Sequence, residues 1–223
     1  MELIYASSGR TVALPDHVRQ LAEEFHSNMM DSSELLFLAG ALALFPWTED
    51  AIVVEIGAYA GQTTVFMAQV LQLMERHIPI LSIDPFERAV SDSVNPRGVY
   101  SAYLKTTRNH KMEQMCLPLV AFSEDAAPVV PEKIGVLVVD GSHRYSDISK
   151  DLRLYAPKLL PAGLIFIDDY VPAYPGVVQA VDEHFQSNST LKILHKTYFV
   201  VAQRTVASAV PTDYIPDSLN PVE

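Results

Sequence analysis

The sequence predicts an α/β fold in which a mainly parallel, seven-stranded sheet carries helices on both faces and ends in an antiparallel hairpin. The first observation is that short apolar runs alternate with segments of helical spacing over residues 51–204. The second is that these runs are apolar almost throughout, which is typical of parallel strands covered on both faces. The third is a Gly-rich turn after the first such run, where open α/β sheets bind ligands.

The composition is that of a globular protein. A chain of 223 residues with 49% apolar and 19% charged residues is expected to form one domain with a full core. Its net charge of −11 argues against a nucleic-acid partner, since such binding depends on Lys and Arg neutralising phosphates. The single cysteine, Cys116, excludes an intrachain disulfide and is expected to be a buried thiol.

Residues 1–50 are predicted to form an N-terminal helical segment. Residues 15–30 show helical spacing, and a second helix over residues 35–45 is expected to be capped by Ser32 or Ser33. This second helix is apolar nearly all round, so we expect the core or another subunit to bury it, and we expect a homo-oligomer. The first ten residues do not have the pattern of a signal peptide, and the longest apolar stretch is too short to span a bilayer. A cytoplasmic protein without a membrane partner is therefore expected.

The domain predicted over residues 51–204 alternates strands and helices. Strands are predicted at residues 51–56, 80–83, 117–122, 136–139 and 164–167, and helices at residues 63–76, 98–109, 145–159 and 177–186. Residues 191–194 and 198–202 are predicted to form the closing hairpin, which turns at His195 and Lys196. Residues 90–103 are expected to form a lid, and residues 205–223 a tail that is ordered only if a partner chain holds it.

The Gly-rich turn follows the strand that ends in Glu55 and Ile56. Its pattern is G-x-x-x-G, from Gly57 to Gly61, whereas a dinucleotide-binding turn needs G-x-G-x-x-G. A carboxylate at Glu55 can face an ammonium group, and Asp84, which ends the next strand, can hydrogen-bond a ribose diol. These features favour a ligand that combines an amino acid with a nucleoside. The alternative is that the two glycines only make a tight turn.

A second group of acidic residues ends two later strands. Asp140 follows one strand, and Asp168 and Asp169 follow the next. Because adjacent strands lie about 4.8 Å apart, these carboxylates can converge, and they would repel unless they are protonated or bridged by a cation. Oxygen ligands favour a hard ion such as Mg²⁺. The alternative is an acidic pair that caps a helix or binds solvent.

The E-I-G-x-x-x-G block followed by Ser82-Ile83-Asp84 resembles the class I S-adenosylmethionine-dependent methyltransferases, which have a Rossmann-like sheet. The resemblance implies that Glu55 and Gly57 lie near the methionine part of the donor, Asp84 near its ribose and Ser123 near its adenine. Ser123 can equally be an ordinary helix cap. The donor site implied by this resemblance also takes in Tyr59, Gly61, Thr63, Thr64 and Asp140.

From residue 52 to 204 the chain also resembles the metal-dependent sugar O-methyltransferases of the macrocin O-methyltransferase type. This resemblance implies that Asp140, Asp168 and Asp169 hold the metal and that the substrate is a small molecule or glycoside. Some members have an aspartate base two residues after the first metal ligand, where this chain has Ser142. Others have a histidine one residue later, which His143 matches, so the resemblance assigns the base to His143 and leaves Ser142 as a helix cap.

Three functions are compatible with this pattern. The first is metal-dependent O-methylation of a sugar or other vicinal diol, and the second is O-methylation of a catechol-like phenol, which would also chelate the metal. The third is a non-catalytic scaffold with the same fold, since a fold alone does not decide function. The intact set of acidic residues and His143 argues against a scaffold.

Overall fold

The fold is built around a mixed seven-stranded sheet. The computed structural model describes residues 2–87 and 96–205, so residues 90–95 of the predicted lid and 206–223 of the predicted tail lie outside the described residues. The described strands are β1 (Glu2–Tyr5), β2 (Arg10–Ala13), β3 (Ile52–Ile56), β4 (Ile80–Asp84), β5 (Cys116–Val120), β6 (Ile134–Val139), β7 (Leu159–Ile167), β8 (Leu191–Lys196) and β9 (Val200–Arg204). The helices are α1 (Asp16–Glu24), α2 (Ser32–Leu44), α3 (Gln62–Leu73), α4 (Pro96–Asn109), α5 (Ser123–Ala126), α6 (Tyr145–Tyr155) and α7 (Pro175–Ser187), with a 3-10 turn at Ala156–Lys158.

The strand order in the large sheet is β5-β4-β3-β6-β7-β9-β8. The five strands from β5 to β7 are parallel, while β9 pairs antiparallel with both β7 and β8. This confirms the predicted sheet and its closing hairpin. Strands β3 and β6 are neighbours although β4 and β5 intervene in the chain, so the strand order reverses between them. Ligands of open α/β sheets bind at the carboxyl ends of strands beside such a reversal.

Two apolar layers cover the sheet, and the alternation of side chains along β3 separates them. Val53 belongs to the layer that includes residues of α1 to α4, whereas Val54 belongs to the layer that includes residues of α5 to α7. Cys116 lies buried in the first layer, as its apolar context predicted. The face of the sheet to which a strand residue points therefore decides whether its side chain is available at the sheet's carboxyl edge.

The N-terminal segment differs from the prediction in three ways. It begins with a β1–β2 hairpin, and α1 ends at Glu24 rather than continuing to residue 30. After α1, the hydroxyl of Ser27 accepts hydrogen bonds from the backbone N–H groups of Met29 and Met30, which gives this backbone an alternative to a helix. The cap of α2 is Asp31, not Ser32 or Ser33, because Asp31 and Glu34 form a reciprocal capping box.

Helix α2 is buried by elements of its own chain. Its buried residues include Leu35, Leu38 and Leu42, and α2 packs against α1, α3, β2 and β7. Its uniformly apolar sequence is thus explained without a second subunit, and the homo-oligomer stays a prediction. Among residues 2–87 and 96–205, no helix is long and apolar enough to cross a membrane.

The closing hairpin turns later than predicted. Strand β8 extends through Lys196, and the turn is closed by a hydrogen bond from the backbone N–H of Thr197 to the carbonyl of Phe199. His195 and Lys196 are therefore strand residues. Strand β7 is also longer than predicted because it begins at Leu159 rather than at residue 164.

Candidate active site

A cavity of about 880 Å³ opens at the carboxyl ends of the parallel strands. It is lined in the order of the sheet, from the residues after β7 and β6, through the turns after β3 and β4, to the residues after β5. The lining residues used below are Met29, Gly57, Tyr59, Thr63, Asp84, Ser123, Glu124, Asp140, His143, Asp151, Asp168, Asp169 and Tyr174.

The turn after β3 needs glycine at residue 57. Gly57 has a φ of 90°, and a Cβ there would overlap the carbonyl oxygen of Asp140 and lie 2.6 Å from the Cα of Gly141. At Gly61, where φ is 79°, a Cβ would lie 2.8 Å from the ring of Tyr103, and Gly61 does not line the cavity. Both glycines therefore allow close approach of the protein's own atoms, and Gly57 in addition lines the cavity.

Asp84 organises the same turn. One of its carboxylate oxygens accepts a hydrogen bond from the backbone N–H of Tyr59 at 2.8 Å, and the other accepts one from Phe86 at 2.6 Å. The first bond holds Tyr59 at a φ of 44°, which is uncommon for a bulky residue. Each carboxylate oxygen has a further lone pair, so Asp84 can still accept hydrogen bonds from a pair of ligand hydroxyls in the cavity.

Glu55 does not lie where the sequence pattern suggested. It points to the α3 side of β3 and is 1% exposed, where it accepts hydrogen bonds from the hydroxyls of Thr64 and, at 2.9 Å, Ser82. Burial raises its pKa to about 7, against the lowering effect of these two hydrogen bonds. Neither Glu55 nor Thr64 lines the cavity. The expectation that Glu55 faces the donor pocket is corrected, because the alternation of β3 turns its side chain into the core.

The three predicted carboxylates meet at one end of the cavity. Asp140, Asp168 and Asp169 each offer a carboxylate oxygen, and these oxygens lie within 4.8 Å of one another. Burial, and to a lesser degree the negative charges of Asp168 and Asp169, raises the pKa of Asp140 well above its usual range. Burial, followed by the charge of Glu34, raises the pKa of Asp168 to about 8. This concentration of acceptor groups can hold a cation.

A fourth carboxyl group, Glu34, lies behind this cluster. Glu34 is 9% exposed and lies close enough to Asp168 for its charge to raise the pKa of that carboxyl group, while its Oε2 accepts the backbone N–H of Asp31 at 2.6 Å. The D-x-x-E pattern could have predicted the helix cap. Nothing in the sequence connects residue 34 with residue 168, because this contact depends on how α2 packs against the sheet.

His143 lies beside the carboxylates. Its Nε2 is 2.7 Å from Oδ2 of Asp169, and its ring packs against the ring of Tyr174 with a centroid distance of 3.9 Å. Ser142 does not cap α6, whose N-cap is Arg144. The hydroxyl of Ser142 instead donates a hydrogen bond to the Asp147 carboxylate at 2.6 Å. Tyr174 was not predicted, although it precedes the Pro-Gly start of α7, where a loop meets the sheet's edge.

Ser123 lies at the opposite end of the cavity and is held by α6. Its hydroxyl donates to Oδ1 of Asp151, and the hydroxyl of Tyr155 donates to its carbonyl at 2.6 Å. Asp151 is 3% exposed, and burial raises its pKa to about 6. Ser123 is the first residue of α5 and follows the N-cap Phe122, so its side chain is tied to α6 rather than serving as the cap.

The structure therefore brings most of the predicted site residues to one cavity. Gly57, Tyr59, Thr63, Asp84, Ser123, Asp140, His143, Asp168 and Asp169 line it. Glu55, Gly61 and Thr64 do not, because each contacts neighbouring protein instead. The cavity also includes Asn28 and Met29, which come from the segment between α1 and α2 and were not predicted.

Known proteins share this sequence pattern and this fold. A family profile described as a methyltransferase domain matches residues 54–170, just over half of the chain. An uncharacterized protein of Acanthamoeba polyphaga mimivirus is 22% identical over 127 residues, which are 55% of this chain and 52% of that protein. The chain thus spans about half the length of the curated relative it matches.

Two solved structures illustrate the shared fold. The O-methyltransferase NovP is 20% identical, with a TM-score of 0.57 over 86% of this chain and 79% of that chain. CalS11, a TDP-rhamnose 3'-O-methyltransferase of calicheamicin biosynthesis, is 16% identical, with a TM-score of 0.58 over 86% of this chain and 96% of that chain. With the family match from β3 to the residues after β7, these likenesses identify the chain as a member of the methyltransferase-domain family, with the Rossmann-like fold of the class I S-adenosylmethionine-dependent methyltransferases.

Proposed function

We propose that the protein transfers a methyl group from S-adenosylmethionine to a hydroxyl of a sugar or glycosylated small molecule, with the help of a divalent cation such as Mg²⁺. The observation that supports this most is the layout of the cavity. Three carboxylates and His143 lie at one end, and the Gly57 turn and Asp84 lie next to them along the sheet. A donor held by the turn would thus present its methyl group toward the carboxylate end.

The chain's own residues fit the donor in parts. The first residues of α3 line the cavity, and the N–H groups at a helix N-terminus suit the carboxylate of the methionine part. Asp84 can accept hydrogen bonds from the two ribose hydroxyls. Glu55 is not available to the ammonium group, so that group would depend on carbonyl oxygens or on the cluster that includes Asp140.

The carboxylate end fits a hard cation, because it offers three oxygen ligands close together. Asp140, Asp168 and Asp169 would hold the ion. A divalent cation bound there would lower the pKa of an acceptor hydroxyl and orient it. Nε2 of His143 contacts the Asp169 carboxylate, so the hydroxyl proton would be accepted on the other ring nitrogen, Nδ1, while packing on Tyr174 holds the ring at the cavity.

The transfer itself needs only positioning. The bond between the methyl carbon and the sulfonium sulfur breaks as the bond to the acceptor oxygen forms. The hydroxyl proton passes to His143, and S-adenosylhomocysteine leaves. No residue has to form a covalent intermediate, so the rate would come from alignment of the two substrates and from deprotonation.

A sugar acceptor is favoured by the likeness to CalS11, a TDP-rhamnose 3'-O-methyltransferase. An activity assay distinguishes sugar acceptors from the alternative, catechol-like phenols. Radiolabelled S-adenosylmethionine should transfer its methyl group to glycosides or nucleotide sugars but not to catechols. Transfer to catechols alone would replace the sugar proposal, and transfer to neither class, with intact donor binding, would favour the non-catalytic scaffold.

The metal is tested by one substitution with a matched control. Asp168→Asn should abolish turnover while leaving S-adenosylhomocysteine binding within about twofold, because residues after β3, β4 and β5 form most of the donor site. Asp50→Asn is the control, since Asp50 pairs with Lys133 away from the cavity. EDTA should inhibit the native enzyme, and Mg²⁺ should restore it. Full activity in EDTA, or an active Asp168→Asn enzyme, would remove the metal from the mechanism.

A further inference from the structure

The end of the cavity farthest from the proposed metal site contains a buried carboxylate that the proposed reaction does not use. Asp151 lies on α6, is 3% exposed and lines the cavity next to Ser123. In sheet order, this end lies beyond Asp84, at the residues that follow the edge strand β5. Burying a carboxylate costs free energy unless the group is paired with a cation or hydrogen-bonded. The partners that the protein provides for Asp151 therefore show which of its oxygens is left for a ligand.

The protein satisfies only part of Asp151. Among the hydrogen bonds of residues 2–87 and 96–205, only Oδ1 has a donor, the hydroxyl of Ser123. No ion pair within that part of the chain includes Asp151, and the neighbouring Lys150 is paired with Glu124. An ionised carboxylate is an acceptor only, with several lone pairs on each oxygen. Its second oxygen is therefore suited to an N–H donor that enters the cavity.

The contacts around Asp151 hold this oxygen in place. Ser123 is tied to α6 twice, through the bond to Asp151 and through the Tyr155 hydroxyl, which donates to the Ser123 carbonyl. The carboxylate therefore lies between α5 and α6, with one oxygen bonded to Ser123. Such a preorganised acceptor is typical of a recognition contact, in which few rotatable bonds have to be ordered on binding.

The donor part of the proposed function supplies a matching group, and the inference rests on it. With the methionine part at Gly57 and the ribose at Asp84, the nucleobase extends toward Ser123 and Asp151. Adenine carries an exocyclic amino group, whereas hypoxanthine has a carbonyl oxygen at the same position. We propose that Asp151 accepts a hydrogen bond from the adenine amino group and makes the enzyme selective for an adenine-containing donor.

Glu124 is the competing carboxylate at this end. It also lines the cavity, but its side chain is 48% exposed and its charge is paired with Lys150. Exposure and pairing both weaken a contact, because water and the ammonium group already satisfy the oxygens. Glu124→Gln is therefore the matched control for Asp151→Asn, as both substitutions replace a carboxylate by an amide in the same cavity.

The test is calorimetric titration with two ligands, S-adenosylhomocysteine and S-inosylhomocysteine, in the absence of metal and acceptor. The native protein should bind the adenine ligand about 10- to 100-fold more tightly, the range expected for a hydrogen bond to a charged group. Asp151→Asn should reduce this preference to threefold or less, because its amide can donate to the hypoxanthine carbonyl. Glu124→Gln should keep the native preference.

The outcomes distinguish recognition of adenine by Asp151 from a purely structural role in which Asp151 only holds Ser123. An Asp151→Asn protein that loses affinity for both ligands by the same factor would show that Asp151 only holds Ser123, and would overturn the proposal. A Glu124→Gln protein that loses the preference would transfer the role to Glu124. Native protein that binds both ligands equally would overturn the proposal without any variant. Native protein that binds neither ligand would overturn the donor assignment as well.

Discussion

At the scale of single residues, Glu55 ties the stability of the fold to pH. Its pKa is raised from 4.5 to about 7, so the folded state holds a proton that the unfolded state releases between these values. Its contribution to stability is therefore present below pH 4.5 and is lost as pH rises through about 7. Glu55→Gln removes this ionisation and keeps the side-chain shape, so we expect a gain on the order of 3 kcal/mol at pH 8 and little change at pH 4.5.

Urea unfolding of the metal-free protein at these two pH values measures the effect. Glu49→Gln, at an exposed loop residue, is the matched control and should leave both midpoints unchanged. A Glu55→Gln protein that is less stable than the native protein at pH 8 would contradict the burial of an ionisable carboxyl group at this position.

His143 belongs to the same scale but to the reaction. Replacing it by Ala should lower kcat by about 10²–10⁴, the usual effect of removing a general base, with S-adenosylhomocysteine affinity unchanged. His184→Ala is the control, because His184 lies on α7 and does not line the cavity. Steady-state rates on the true acceptor decide the matter. If the His143→Ala enzyme kept the native rate, His143 would not be the general base.

The sequence predicted those site residues whose chemistry follows from the end of a strand. Asp84, Asp140, Asp168 and Asp169 each follow an apolar run, and parallel strands bring such residues to one edge. The contacts of Glu34 and Asp151 could not be predicted, because both depend on helix packing. Glu55 was misplaced for a different reason: its sequence position was right, but the side-chain alternation of β3 points it into the core.

At the scale of elements, the turn between β3 and α3 is matched to the end of β6. Gly57→Ala would place a methyl group against the Asp140 carbonyl at a φ of 90°, so we expect a loss of about 1–3 kcal/mol in stability and weaker donor binding. Gly98→Ala, in α4, is the control, because no atom of the described residues lies within 4 Å of its Cβ. Equal melting temperatures for the two variants would contradict the close approach.

The element boundaries show where pattern reasoning succeeds. Long apolar runs located β3, β4 and β6 within one or two residues, since burial on both faces leaves little ambiguity. The β1–β2 hairpin was missed because each strand has four residues and only one face packs on the protein. The α2 cap was misassigned because Asp31, Ser32 and Ser33 are all good caps, and the reciprocal contact with Glu34 decides among them.

At the scale of the whole molecule, a homo-oligomer remains our proposal, but α2 is no longer its basis. Exposed apolar side chains lie instead on and just after the edge strand β5, and they include Leu117, Val120 and Phe122. We expect light scattering to give a mass above that of one chain, and Val120→Lys to reduce it, since a charge in an apolar contact is costly. A single-chain mass for the native protein at high concentration would contradict the proposal.

The pairing of β3 with β6 also has a consequence for the order of folding. Residues 52–56 pair with residues 134–139, so this contact closes a loop of about eighty residues, whereas β3 and β4 pair across a much shorter loop. Contacts of large sequence separation form late when loop-closure entropy limits the rate. We expect the two local pairs, β3 with β4 and β6 with β7, to form before β3 joins β6, with pulsed hydrogen exchange protecting the amides within each pair before those that bond β3 to β6. Because Gly57 and Asp84 lie on one side of this contact and Asp140, Asp168 and Asp169 on the other, neither half of the chain alone would carry a complete site until the two have joined.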